Sequence, residues 1–381
     1  MMKRWIGALL AAMMLAAMLP VRAAAVEIPI TSKSAVLMEK TTGEILFAQN
    51  EHDPMPPASV TKIMTLLLTM EAIDSGAVHY DDMVQVSAYA ASMGGSQVFL
   101  SEGEQISVEE LLKSVCVSSG NDAAVALAEH VCGVTELFVE KMNLRAKELG
   151  MNDTHFVNCT GLTAKGHVTS AYDIALMSRE LILHHPDIRR FTTIWMDTIR
   201  DGTFGLSNTN KLVRYYDGCT GLKTGYTAEA GYCISATAEK DGMELIAAVM
   251  HGQSSDSRNA DAKALLNYGF STYALTEIRP ETPLAPLPVE MGTADTVPLT
   301  LAEGETCVLL EKDCAGALEQ TVTLPDRIGA PVEAGQRIGE LTVQADDTVV
   351  KVIPICAAEE VPRLTWGGVF MKVLRMATFR G

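Results

Sequence analysis

Apolar residues between Pro56 and Ile73 recur without leaving a polar face. In PPASVTKIMTLLLTMEAI, Val60, Ile63, Met64, Leu67 and Leu68 form one helical stripe, and Leu66 and Met70 widen it. The pattern predicts a helix running from Ser59 to near Gly76 and buried inside a domain. Lys62 falls in its first turns, three residues after Ser59, where an unpaired ammonium is costly. SAVLMEKTTGEILFA, from Ser34 to Ala48, alternates as a hairpin around Gly43. SVEELLKSVCVSSGNDAAVALAEHVCG opens with Ser107 as N-cap and Glu110 three residues on, a capping box. The polar run Ser118-Ser119-Gly120-Asn121 interrupts its helical spacing and predicts two helices joined by a loop. TELFVEKMNLRAKELG reads as an amphipathic helix closed by Gly150, and SAYDIALMSRELILHHP as another, capped at Ser170 and stopped by Pro186. From Gly218 to His251 the period changes to that of strands, with Asp241-Gly242 as a hairpin turn. DAKALLNYGF is a last helix.

Near Glu277 prolines crowd at 280, 283, 286 and 288, and short alternating segments follow: TVPLTL, TCVLLE, QTVTL, RIGELTV and TVVKVIPI. They predict a small β-sandwich or barrel of roughly eighty residues. With 381 residues and 48% hydrophobic content, the chain can bury two cores. Its net charge of -17 argues against nucleic acid as a partner. Lys3 and Arg4 precede an uncharged apolar run from Trp5 to Leu19, and small residues follow. Residues 1–25 therefore read as a secretory signal peptide, with the mature chain starting near Ala24 to Val26; a retained anchor helix is the alternative. Export permits disulfides, but the eight cysteines have neither framework nor zinc spacing. Cys116 and Cys132 are expected on one helix, too far apart to bridge. Cys307 and Cys314 are spaced to close a small loop, and most of the others read as small buried hydrophobes.

Residues three apart on a helix share a face, so Ser59 and Lys62 are neighbours. A serine at a helix N-terminus sits in the positive end of the dipole. A desolvated lysine near other cations can lose its proton and act as the base that a weak hydroxyl nucleophile needs. Alone, S-x-x-K is as well explained by a helix cap and a lysine reaching the surface. Two further elements change the balance. Ser119-Gly120-Asn121 places a hydroxyl and an amide in the interhelical loop. Lys223-Thr224-Gly225 is expected to begin an edge strand, with a cation, a hydroxyl and a glycine that lets backbone approach a substrate. S-x-x-K, a central S-x-N and K-T-G in this order are the motif set of serine β-lactamases and penicillin-binding proteins.

With PPASVTKIMT, VSSGNDAAVALAEH, AKELGMNDTHFVNCTGL, TSAYDIALMSRE, TNKLVRYYDGCTGLKTGYTAEAGYCISATA and LLNYGF, the chain resembles the low-molecular-mass penicillin-binding proteins, which are D-alanyl-D-alanine carboxypeptidases. The resemblance covers Ser34 to Tyr273 and extends to the β-rich part. It implies an α+β penicillin-recognising serine-hydrolase fold, a five-stranded antiparallel sheet flanked by helices, followed by an all-β domain. The expected division is 1–25 signal peptide, 26–276 catalytic domain, 277–361 β domain and 362–381 tail. By motif, Ser59 is the nucleophile, Lys62 the base and Ser119 the proton relay to the leaving amine. Asn121 orients Lys62 and the substrate amide. Lys223 and Thr224 receive the substrate carboxylate, Gly225 gives close approach, and the N–H groups of Ser59 and Tyr226 form the oxyanion hole. Lys62 is then tolerated because Asn121 and the two serines satisfy it. Arg258, where the family often has an arginine, binds substrate or serves in a structural ion pair. The implied partners are peptidoglycan stem peptides ending in D-Ala-D-Ala and β-lactam antibiotics, with no metal or cofactor, at the outer face of the cytoplasmic membrane.

Glu148, in ELGMN, imitates a deacylating glutamate of class A β-lactamases but reads as a surface helix residue. His184-His185 closes a helix, where a dipole contact explains it. A β-lactamase and an inactive peptidoglycan-binding module are the competing functions; the Ser-Gly-Asn element, the β domain and the complete motifs disfavour them. In the tail from Leu364 to Gly381, Trp366, Val369, Phe370, Val373, Leu374 and Ala377 recur at helical spacing opposite Lys372 and Arg375. The tail reads as an interfacial helix on the membrane surface, with docking on the β domain as the alternative.

Overall fold

The computed structural model describes residues 28–371, except 303, 305, 313–317 and 346–347. The expected leader, the tail beyond Met371 and Cys314 lie outside these residues.

A five-stranded antiparallel sheet carries the catalytic part. Its strands are β1 (Ser34–Glu39), β2 (Ile45–Gln49), β3 (Cys219–Thr227), β4 (Gly231–Lys240) and β5 (Met243–Gly252), in the order β2-β1-β5-β4-β3. The hairpin expected around Gly43 is β1-β2. Asp241 and Gly242, both at positive φ, turn β4 into β5. Successive residues of a strand point to opposite faces, and β1 is apolar on both. Ala35 and Leu37 face a core shared with Leu265 and Leu266 of α6 (Ser255–Thr272), whereas Val36 and Met38 face the larger helical core. A sheet covered on both sides explains why these strands read as continuous apolar runs. Helix α6 begins six residues earlier than DAKALLNYGF, at a Ser254–Ser257 capping box.

On the other face lie α1 (Lys62–Asp74), α2 (Val108–Val117), α3 (Asn121–Cys132), α4 (Thr135–Glu148) and α5 (Ala171–His184). Helix α1 is buried along almost its whole length, Lys62 included, as its pattern requires. A 3₁₀ turn, Ala58–Thr61, precedes it and carries Ser59. Ser107 caps α2 through the Glu110 N–H at 3.2 Å, but the reciprocal half of the expected box is absent. Glu110 instead accepts from the Ser107 hydroxyl and from the Arg200 N–H. Cys116 and Cys132 sit on α2 and α3, not on one helix. The seven described cysteines are free thiols. His185 does more than meet a helix dipole: it is nearly buried and pairs with Asp74 at 2.5 Å. Arg145 of α4 ties three helices together through Glu71 at 2.7 Å, Glu180 at 2.5 Å and Glu148 at 3.3 Å.

After α6, strand Tyr273–Glu277 pairs with Cys307–Glu311 of the β-rich part. That part builds a four-stranded sheet from Leu299–Leu301, Thr348–Ala357, Arg337–Ala345 and Glu319–Thr323, around Leu341, Val343, Ile353 and Ile355. Its all-β character is as expected.

Candidate active site

Three segments converge on Ser59. The first is its own turn. Ala58, just before it, has φ +49°, a left-handed conformation costing an L-residue about 1–2 kcal/mol. The turn is clamped by two glycines. A Cβ on Gly161 would lie 1.8 Å from the Ala58 carbonyl oxygen, and one on Gly225 would lie 2.9 Å from the Ser59 nitrogen. Gly225 is thus needed for β3 to pass so closely beneath the turn. Lys223-Thr224-Gly225 does lie on the edge strand, but in its middle rather than at its start.

The second is Lys62, which is 0% exposed. Its Nζ donates to Ser59 Oγ at 3.0 Å, to Asn121 Oδ1 at 2.5 Å and to the Thr160 carbonyl at 2.6 Å. The third partner differs from the expectation: it is a backbone carbonyl, not Ser119. Asn121 is fixed in turn, its Nδ2 donating to the Gly94 carbonyl and its N–H to that of Ser96. All three acceptors of Lys62 are neutral. Burial, with Lys223 adding repulsion, therefore holds its pKa well below the usual lysine value.

The third is the interhelical loop. Ser119 joins α2 to α3 at φ +62° and is buried, yet its Oγ bonds to none of the described residues. Leaving a buried hydroxyl unpaired costs about 1–3 kcal/mol. Thr224 Oγ1 donates to Thr209 Oγ1 at 2.7 Å, and the Tyr226 ring is exposed against Tyr232.

Two further cations line the same region. Lys223 is buried and donates to its neighbour's carbonyl at 3.0 Å; burial first, then Arg258, lowers its pKa to about 7. Cys116 beside it acts in the opposite sense. Arg258, pushed down to about 10 by burial, donates to the Cys233 carbonyl, to Asn259 and to Ser255. Among the described residues it has no carboxylate partner, so the structural ion pair considered for it is not there. Glu148 is exposed and pairs with Arg145, as its reading as a surface residue required.

Residues 21–254 match the family model described as D-alanyl-D-alanine carboxypeptidase. The chain belongs to that family. Residues 278–363 match the model of the penicillin-binding protein 5 C-terminal domain. The D-alanyl-D-alanine carboxypeptidase DacF of Bacillus subtilis is 42% identical over 337 residues, 87% of this chain and 86% of the relative. The crystal structure of penicillin-binding protein 5 from Haemophilus influenzae superposes with a TM-score of 0.79 at 30% identity, covering 88% of this chain and 98% of that one. Penicillin-binding protein D2 of Listeria monocytogenes, in its ampicillin-bound form, gives a TM-score of 0.59 at 32% identity over 64% of this chain and 99% of its own.

Within this family frame, the nine residues singled out by motif fall around one nucleophile turn or along the edge strand and α6 that flank it. The Thr160 carbonyl and Gly161 were not singled out. Their only trace in the sequence is the glycine of NCTGL, since a carbonyl acceptor leaves no side-chain signature. Replacing that glycine tests the clamp. Gly161→Ala, at φ +84° and against the Ala58 carbonyl, is expected to destabilise the fold by about 1–3 kcal/mol. It should also slow acylation of Ser59 by at least about tenfold, read by thermal melting and by penicillin adduct formation.

Proposed function

We propose that Ser59, Lys62 and Ser119 carry out a serine-type D-Ala-D-Ala carboxypeptidase reaction on peptidoglycan stem peptides. The observation that carries this reading is a serine bonded to a buried lysine of lowered pKa, beside two buried basic side chains that have no carboxylate partner among the described residues. Such a place is suited to a substrate with a free carboxylate. Lys223, Thr224 and Arg258 receive that carboxylate, and Asn121 holds the substrate amide and the base. Ser59 Oγ attacks the carbonyl carbon of the penultimate residue while its proton passes to Lys62 Nζ. The N–H groups of Ser59 and Tyr226 stabilise the oxyanion. As the carbon–nitrogen bond breaks, Ser119 hands its proton to the departing D-alanine amine and takes one back from the Lys62 ammonium. Water then releases the peptide from the acyl-enzyme. A β-lactam follows the same first steps, but its amine stays tethered after the ring opens. The ampicillin-bound relative supports that reading.

The working boundaries are 26–276 for the catalytic domain and 277–361 for the β domain. The paired strand Tyr273–Glu277 forms the join between them. Export by residues 1–25 and attachment by residues 362–381 place the enzyme on the outer face of the cytoplasmic membrane. The support for attachment is local. Residues 366–371 are helical, Trp366 is 92% exposed and Phe370 66%, and Lys372, Arg375 and Arg380 follow. No helix among the described residues is long and apolar enough to cross a membrane.

Three measurements check these statements. Intact-mass spectrometry with benzylpenicillin should give a single adduct on the wild-type chain and none on Ser59→Ala. The pH profile of kcat/KM should rise as Lys62 loses its proton. It should fall above about 7 as Lys223, whose charge holds the carboxylate, loses its own. Lys223→Arg, which stays protonated, should move that alkaline limb upward. Fractionation should leave the full chain with membranes and release a version ending at Val361; equal release of both would remove the tail as anchor.

A further inference from the structure

The left-handed Ala58 turn is held by a chain of hydrogen bonds that the reaction itself does not use. Thr61 Oγ1 donates to the Ala58 carbonyl at 2.8 Å. His167 Nε2 lies 2.8 Å from the same Thr61 oxygen. On the other side of the ring, the Val157 N–H donates to His167 Nδ1 at 2.9 Å. These contacts fix every proton. A backbone amide can only donate, so Nδ1 is bare and the proton of the neutral ring sits on Nε2. Nε2–H then donates to Thr61, whose single hydroxyl proton is committed to Ala58. Thr61 and His167 are both buried. Burial, reinforced by His155, pushes the imidazole down to about 4, which keeps it neutral.

The two ends of this chain meet the two halves of the catalytic pair. One end is the carbonyl of the residue before Ser59. The other is Val157, which opens the segment whose Thr160 carbonyl takes the Lys62 proton donor and whose Gly161 abuts the Ala58 carbonyl. We infer that His167, acting through Thr61, is a positioning residue that locks the Ser59 turn to the loop serving Lys62. The inference rests on the carboxypeptidase reading of the site. A relay of this kind acts on the acyl-transfer step, because it sets the attack geometry of Ser59 without touching the substrate's carboxylate.

Stopped-flow acylation of the full chain by benzylpenicillin separates the acylation rate from the preceding binding. Thr61→Val keeps the shape and removes the relayed proton. It is expected to lower the acylation rate about 10- to 100-fold while the binding constant changes by less than about threefold. Thr61→Ser restores the hydroxyl and should stay within about threefold of wild type. His167→Asn, whose shorter amide can meet Val157 but falls short of Thr61, should match Thr61→Val. The double variant should be no slower than either single one, because the relay is broken only once. A role confined to stability would instead lower the melting temperature and leave the rate of the folded protein unchanged. A folded Thr61→Val or His167→Asn acylating at the wild-type rate would overturn the inference, as would single effects that multiply in the double variant. A wild-type chain that penicillin does not acylate would overturn the functional reading, and the inference with it.

Discussion

A lysine amine withdrawn from water can pair with an anion or give up its proton. Lys62 is placed for the second course. Its three acceptors are a hydroxyl, an amide oxygen and a backbone carbonyl, all neutral. The carboxylate whose charge acts on it, that of Asp122, is occupied by the N–H groups of Val98, Leu100 and Ala123. An ion pair here would stabilise the ammonium and remove the base. Neutral acceptors orient the amine while burial favours proton loss, and on that loss the Ser59 contact reverses, its hydroxyl donating to Nζ. Much of the surrounding architecture follows from the need to bring those acceptors to one point from three distant stretches of chain.

The sheet supplies the fixed reference for this convergence. Strand β3 lies at the edge of the sheet, and only an edge strand can accept an added peptide backbone. The same strand carries Lys223 and Thr224, so the groups suited to a carboxylate and the groups suited to a peptide share one rigid element. Arg258 comes from α6 on the opposite face of the sheet and donates to the Cys233 carbonyl of β4. Lys223 and Arg258 are thus both desolvated and, among the described residues, held by neutral partners. A net charge of -17 makes this local positive region a contrast to the rest of the surface, favouring selection by the site over general attraction of anions.

Backbone strain around Ser59 is carried by one residue outside the three motifs and one within them. Ala58, which precedes Ser59, and Ser119, which opens the Ser-Gly-Asn motif, both have positive φ. Such conformations persist only where the surroundings over-determine them. For Ala58 the surroundings are Gly161, Gly225 and the Thr61–His167 chain; for Ser119 they are the ends of α2 and α3, where the Gly120 N–H returns to the Ser114 carbonyl and that of Asn121 to Ser96.

The sequence by itself determined the elements and which side chains the motifs single out. Period and capping set the helices, alternation set the strands, and ordered motifs named Ser59, Lys62, Ser119, Asn121 and Lys223, because side-chain identity and local spacing are written in the chain. It misplaced features that depend on neighbours distant in sequence. The Glu110 half of the capping box was lost to Arg200, Cys116 and Cys132 were separated by the turn at Ser119, and His185 found Asp74. Only the tertiary structure decided that a backbone carbonyl at Thr160 completes the shell of Lys62, that Gly161 and Gly225 make room for the Ser59 turn, and that Arg258 has no carboxylate partner among the described residues. Carbonyl direction, close approach and the absence of a partner have no letter in the sequence; they exist only once remote segments are packed together.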